Sequence, residues 1–325
     1  MRPDPEHDSP FRLPCNPPMS RARFLRLAAA TVTGFALGTP AAAARGASSP
    51  AATMLTRPIP ATGEALPVIG CGTYVGFDVA PGSAEYQRLP GVLQALFDAG
   101  GSVIDSSPMY GRAEAVTGEL LAATGAHRQA FVATKVWTRG RAEGIRQMEE
   151  SLRRLQVERL DLMQIHNLVD WPTHLATLRD WKAAGRVRYL GVTHYTAGAY
   201  AELEAVMRAE PVDFVQINYS LDEREAERRI LPLAAERGMA VIINRPFGGG
   251  GLLRRLRGRP LPPWAADIDA SSWAQLLLKF VLSHSAVTCA IPGTSRPEHM
   301  ADNALAGTGA IPGRDFWERH RIDAG

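Results

Sequence analysis

Lysine is almost missing from this chain: Lys135, Lys182 and Lys279 stand alone among 36 basic residues, and arginine fills the rest. Cysteine is as scarce. Cys15, Cys71 and Cys289 are too few and too scattered for a disulfide framework or a cysteine-rich zinc site. Neither charge sign dominates: 33 acidic residues leave a net +3 at pH 7, which excludes the strong positive field of a nucleic-acid binder. No His/Asp/Glu cluster has metal-ligand spacing. Beyond residue 50, no apolar run is long enough to cross a membrane. No Gly-x-Gly-x-x-Gly opens a helix after the first strand pattern, which argues against a doubly wound dinucleotide-binding sheet. Apolar material, by contrast, is ample. Hydrophobic residues make up 46% of the 325 and charged residues 21%, enough for one large core or two ordinary ones.

The N-terminus reads differently from the rest. Residues 1–18 are rich in proline and charge, which makes Met19 a candidate start. Ser20-Arg21-Ala22-Arg23-Phe24-Leu25-Arg26 then precedes an apolar stretch, 27–38, and the alanines 41–44. A basic region, a short apolar core and a small-residue cleavage site make a secretory signal. It resembles a twin-arginine export signal, with Ala22 where the second arginine belongs. Residues 1–44 are therefore expected to be an extension and export signal, engaging the export machinery transiently. Residues 45–325 are expected to be the folded, periplasmic part, without stable membrane insertion; an unused signal would leave it in the cytoplasm.

Short apolar runs then alternate with longer amphipathic stretches. The runs are 66–73, 102–105, 131–136, 160–166, 187–194, 214–218, 240–244 and 287–292. They are unalternating, as befits parallel strands buried on both faces. Helical patterns lie between them, for example at 90–99, 114–123, 142–155, 171–184, 199–208, 223–237 and 272–283. Asp222 is a candidate N-cap, and Gly185 and Gly238 sit where C-caps belong. Eight runs, each followed by a helix candidate, predict a single-domain α/β fold, the (β/α)8 TIM barrel. Cys71 and Cys289 fall in the first and last runs, as buried packing neighbours of a closed barrel.

Strand C-termini of such a barrel face the active site. The last polar residues of the runs are Asp105, Lys135, His166, Thr193 with His194, Gln216 with Asn218, and Asn244, spaced 23 to 31 residues apart. A lone His or Asp at a strand end commonly caps a loop; their convergence is the signal. Tyr110 lies five residues past Asp105. An ammonium can lie close to a phenol where a forked guanidinium is too bulky, so a lysine in an arginine-rich protein stands out. A nearby cation is expected to lower the tyrosine pKa from about 10, with Asp105 holding Lys135 and His166 orienting a substrate oxygen. Tyr110 is then a proton donor. The set fits protonation of a carbonyl oxygen as hydride reaches its carbon. Trp137 and Asn167, each just past a candidate residue, read as pocket-lining or as packing and loop-capping. Lys135 as a Schiff-base nucleophile is a further alternative.

The segments Ile69-Gly70-Cys71-Gly72-Thr73, Val103-Ile104-Asp105-Ser106-Ser107-Pro108-Met109-Tyr110-Gly111, Ala133-Thr134-Lys135-Val136, Asp161-Leu162-Met163-Gln164-Ile165-His166, Val215-Gln216-Ile217-Asn218-Tyr219 and Ile291-Pro292-Gly293-Thr294 running to Asp302-Asn303 occur in one order. Together they resemble the aldo-keto reductase superfamily, from about Leu55 to Asn303. The resemblance implies a barrel that uses NADP(H), with NAD(H) possible, and reduces aldehyde or ketone carbonyls of a small-molecule substrate. It implies Tyr110 as acid, Lys135 and Asp105 as its tuners, and His166 as orienter. Gln216, with Thr193 and His194, would hold the nicotinamide amide. Gly72, Thr73 and Tyr74 would border the cofactor. Gly293, Thr294, Ser295, Arg296, His299 and Asn303 would bind its adenosine end.

Departures from the family pattern are specific. Asn244 stands where most relatives stack an aromatic on the nicotinamide, a loss of about 1 kcal/mol. Thr193-His194 replaces Ser-Asn. His299 replaces a frequent arginine partner of the 2′-phosphate, with Arg296 close enough to substitute. Past Asn244, a long loop carries Arg245, Phe247, the glycines 248–251 and four arginines, Arg254, Arg255, Arg257 and Arg259. Arg245, Phe247 and Gly248 are expected to border the cofactor, with the Gly248 amide approaching a pyrophosphate, and the four arginines to be mostly solvated. The competing functional reading is a non-catalytic, cofactor-sensing or binding barrel.

Overall fold

The computed structural model describes residues 53–322. The expected export signal lies outside the described residues. A hairpin comes first: β1 (Thr56–Pro58) pairs antiparallel with β2 (Ala65–Pro67). Eight parallel strands follow in sequence order: β3 (Cys71–Gly72), β4 (Val103–Asp105), β5 (Phe131–Val136), β6 (Leu160–His166), β7 (Val187–Thr193), β8 (Phe214–Asn218), β9 (Ala240–Asn244) and β10 (Cys289–Ala290). Isolated parallel bridges, Ile69 to Ala290 and Gly72 to Gly293, join the last strand to the first. This closes the (β/α)8 barrel. At that seam a Cβ on Gly72 would stand 2.9 Å from the carbonyl oxygen of Ile291, so the closure needs glycine. Cys71 and Cys289 are free thiols buried beside it.

The helices are α1 (Ala84–Asp98), α2 (Ala113–Thr124), α3 (Arg141–Leu155), α4 (Trp171–Ala183), α5 (Tyr200–Ala209), α6 (Ile230–Glu236), α7 (Gly251–Leu256), α8 (Trp273–Leu282), α9 (Pro297–Leu305) and α10 (Arg314–Arg319). Gly185 and Gly238 follow α4 and α6 with φ of 74° and 64°, the left-handed exit that glycine permits.

Three expectations need correction. The run 66–73 is not one strand: Ala65–Pro67 pairs with β1 and only Cys71–Gly72 joins the barrel. The first helix starts before residue 90, because Ser83 caps it by accepting from the Tyr86 N–H at 3.1 Å, and Pro90 is carried inside. Asp222 is not the N-cap of a helix from 223, because α6 begins only at Ile230 after one 3-10 turn at Glu225–Glu227; its carboxylate accepts from Ser220 Oγ at 2.8 Å and pairs with Arg255 at 2.5 Å.

The strand period of two divides the core. Ile59, Leu66, Val103, Phe131, Ala133, Leu162, Tyr189, Phe214, Ala240, Ile242, Cys289 and Ile291 form one apolar cluster that fills the barrel. The alternate residues, such as Ile104, Val132 and Met163, pack with the helices. Continuing the inward series two residues toward each strand end brings Asp105, Lys135, Gln164 and Gln216 onto one polar layer. Apolar floor and polar mouth are thus successive layers of the same strands.

Candidate active site

The layer is built around one ion pair. Lys135 Nζ lies 2.5 Å from Asp105 Oδ2 and donates to the carbonyl oxygen of Ser106 at 2.7 Å; both side chains are buried. Asp105 Oδ1 accepts from Gln164 Nε2 at 3.0 Å and Gln216 Nε2 at 2.9 Å. The Tyr110 ring centroid is 5.1 Å from Lys135 Nζ and 5.9 Å from the His166 ring. His166 Nδ1 is bound to Ser107 Oγ at 3.0 Å, which leaves Nε2 for a substrate oxygen. The structure therefore brings Asp105, Tyr110, Lys135 and His166 together. Ser107, which holds His166, and Gln164, which holds Asp105, were not among the residues expected at the site, although Gln164 sits two residues before His166 on the inward face of β6.

Electrostatics fix the protonation states. Burial depresses the His166 pKa to about 2, helped by Lys135 and His194, so the imidazole is neutral. Burial also works against the Lys135 ammonium, but Asp105 and Tyr110 outweigh it and raise its pKa. The expected lowering at Tyr110 is not found. Burial raises its pKa above 10, and the opposing pull of Lys135 does not reverse this. Desolvation of a phenolate this deep costs more than one shared cation returns. Tyr110 thus holds its proton across the neutral range.

Exposed rings border this centre. Tyr74 is 5.0 Å from Tyr110 and Trp137 is 6.4 Å from His166; both are exposed. Asn218, read as a strand-end candidate, turns away: it accepts from the Tyr200 hydroxyl at 3.0 Å and donates to Glu223 at 2.9 Å.

The expected cofactor residues divide unevenly. Thr193 Oγ1 and Asn244 Nδ2 both donate to Gln216 Oε1 at 3.4 Å, placing them on the Asp105 network. His194 Nδ1 accepts from the Tyr195 N–H at 3.0 Å and its ring stacks on Tyr195. Thr73 is buried, its hydroxyl 2.9 Å from Ser106 Oγ. Gly293 bridges to Gly72, and Thr294, Ser295 and Arg296 lead into α9, which carries His299 and buried Asn303. Arg296 pairs with Glu298 at 2.7 Å.

The glycine loop is tied into the fold at several points. Phe247 is buried in the outer core, so its ring serves packing. The Gly248 N–H donates to the Arg245 carbonyl oxygen at 2.9 Å, Gly250 to Phe247 at 3.0 Å and Gly251 to Gly248 at 3.1 Å. Those amides are spent on turns, and a Cβ on Gly248 would meet the Asp222 carboxylate at 2.8 Å. Of the arginines expected to be solvated, Arg255 pairs with Asp222. No cluster of metal-ligating side chains occurs among the described residues.

A family model described as the aldo/keto reductase family matches residues 68–316. The chain belongs to the aldo-keto reductase family. It is 32% identical over 247 residues to methylglyoxal reductase YeaE of Escherichia coli, covering 74% of this chain and 84% of that one. It is 26% identical to morphine 6-dehydrogenase of Pseudomonas putida, over 81% of this chain and 90% of that one. Among solved structures, this aldo-keto reductase is similar to one from Klebsiella pneumoniae in complex with NADP and acetate. The TM-score is 0.67 at 29% identity, covering 79% of this chain and 91% of that chain.

Proposed function

We propose that this protein is an NADP(H)-dependent reductase of small aldehydes or ketones, with Tyr110 as the proton donor. The observation that carries the reading is the buried Asp105–Lys135 pair set against Tyr110, with a neutral His166 on the other side of the phenol. The cofactor is supported by the solved relatives that hold NADP or NADPH. It is also supported by an unpartnered buried acceptor, Asn244 Oδ1, on the same network. Thr193, His194, Gln216 and Asn244 would border the nicotinamide, and residues 293–303 the adenosine end.

When bound, the reduced cofactor supplies the hydride. The chain supplies the rest. His166, bound through Nδ1 to Ser107 Oγ, orients the carbonyl oxygen through Nε2. Tyr110 delivers its proton to that oxygen. The Lys135 ammonium stabilises the phenolate left behind, and Asp105 keeps the ammonium in place. Tyr74 and Trp137 border the approach.

Tyr110→Phe is expected to lower turnover by about 10²- to 10⁴-fold while NADPH affinity, read by fluorescence titration, stays within about twofold. Retained turnover would refute Tyr110 as the acid. Failure of the wild-type protein to bind NADPH or NADH would favour the non-catalytic barrel. The N-terminal 44 residues are proposed as an export signal on their sequence pattern alone; fractionation of cells expressing the full chain tests it, and protein confined to the cytoplasm would refute it.

A further inference from the structure

The ion pair sets the polarity of the amides around it. Asp105 Oδ2 faces Lys135, and Oδ1 accepts from Gln164 and Gln216. Gln216 Nε2 therefore points at the carboxylate, and its Oε1 points the other way. There it accepts from Thr193 Oγ1 and from Asn244 Nδ2. Asn244 Nδ2 also donates to the main-chain oxygen of His194 at 3.2 Å. Both partners of Nδ2 are acceptors, so the Asn244 amide cannot be turned over. Its oxygen is left buried with no partner. Gln216 has no such vacancy, since its oxygen already takes two donors and its nitrogen serves Asp105 and Gln164 Oε1.

Resting on the reading of the cofactor as a nicotinamide nucleotide, we propose that Asn244 Oδ1 is the acceptor for the N–H2 of the ring carboxamide. Asn244 then orients the ring by a directed hydrogen bond. The direction of that bond is dictated, through Gln216, by the Asp105 carboxylate that holds Lys135.

The test compares NADP⁺ with its 3-acetylpyridine analogue, in which a methyl group replaces the N–H2 and the carbonyl is kept. Dissociation constants are read by tryptophan fluorescence on the full chain. The wild-type protein is expected to bind NADP⁺ about tenfold more tightly than the analogue. Asn244→Leu, of similar shape, is expected to weaken NADP⁺ to the level of the analogue and to leave the analogue within about twofold. Equal wild-type affinities would overturn the assignment without any variant. An equal loss for both ligands in Asn244→Leu would also overturn it, making Asn244 a packing residue. If the wild-type protein binds neither, the cofactor reading itself falls, and this assignment with it.

Discussion

Lys135 and Lys279 are both shielded from solvent but keep opposite company, one at the barrel mouth and one on α8. Lys135 faces a carboxylate at 2.5 Å. Lys279 donates only to two main-chain oxygens, Thr308 at 2.8 Å and Ala310 at 2.9 Å. Burial pushes both ammonium groups down. At Lys135, Asp105 and Tyr110 more than offset it and the pKa ends above the ordinary value; at Lys279, Asp269 does not, and it ends below. The charge of the partner separates a group that lends its charge to chemistry from one that ties α8 to the segment beyond α9.

Removing each charge should split the two regions. Lys135→Met leaves Asp105 buried without its cation, so stability is expected to fall by about 3–5 kcal/mol, and turnover by about 10²- to 10⁴-fold. Denaturant unfolding and steady-state rates read the two effects. Pairing it with Asp105→Asn should recover much of the stability and none of the turnover, since the carboxylate no longer needs a counter-charge. Lys279→Met should cost about 1–3 kcal/mol, the price of two carbonyl oxygens left unpaired, with kcat/KM unchanged. Equal losses of turnover in both variants would erase the distinction.

The mouth was more legible in the sequence than its electrostatics. Eight unalternating apolar runs point to a parallel barrel, and a lysine in an arginine-rich chain marks the site. What the runs hide is which residues face inward. Gln164 lies inside one of them, and only the step of two from His166 reveals it. Ser107 donates or accepts from a loop that periodicity does not describe. The Tyr110 shift has the opposite sign to the one expected because a motif names the neighbouring cation but not the depth of burial. The split of residues 66–73 was hidden for a similar reason: an apolar run does not say which neighbour each half pairs with, here β1 or β4.

His166 extends the comparison to pH. Its folded pKa of about 2 lies far below the ordinary 6.5. Above pH 6.5 both folded and unfolded chains carry it neutral, and its contribution is complete. As pH falls through 6.5, the unfolded chain takes up a proton that the folded chain refuses. Stability should therefore decline towards pH 2, by up to about 1.4 kcal/mol per pH unit from this group. His166→Gln should flatten that part of the profile, measured by urea unfolding between pH 4 and 8. An unchanged slope would show that the imidazole titrates normally in the fold.

The smallest effect is expected at Lys182, which also has a carboxylate partner, Asp213, at 2.6 Å, but is itself 41% exposed. If a carboxylate partner alone decided the outcome, Lys182 would behave like Lys135. Water competes for this pair, so Lys182→Ala is expected to cost about 0–1 kcal/mol, and less in high salt. Asp213 keeps a second bond to the Leu190 N–H at 2.9 Å, which limits the loss further. Unfolding at low and at molar salt measures it. A cost as large as that of Lys135→Met would mean that burial contributes nothing to the strength of the Asp105 pair; a small, salt-sensitive cost leaves charge and burial acting together, as only Lys135 combines them.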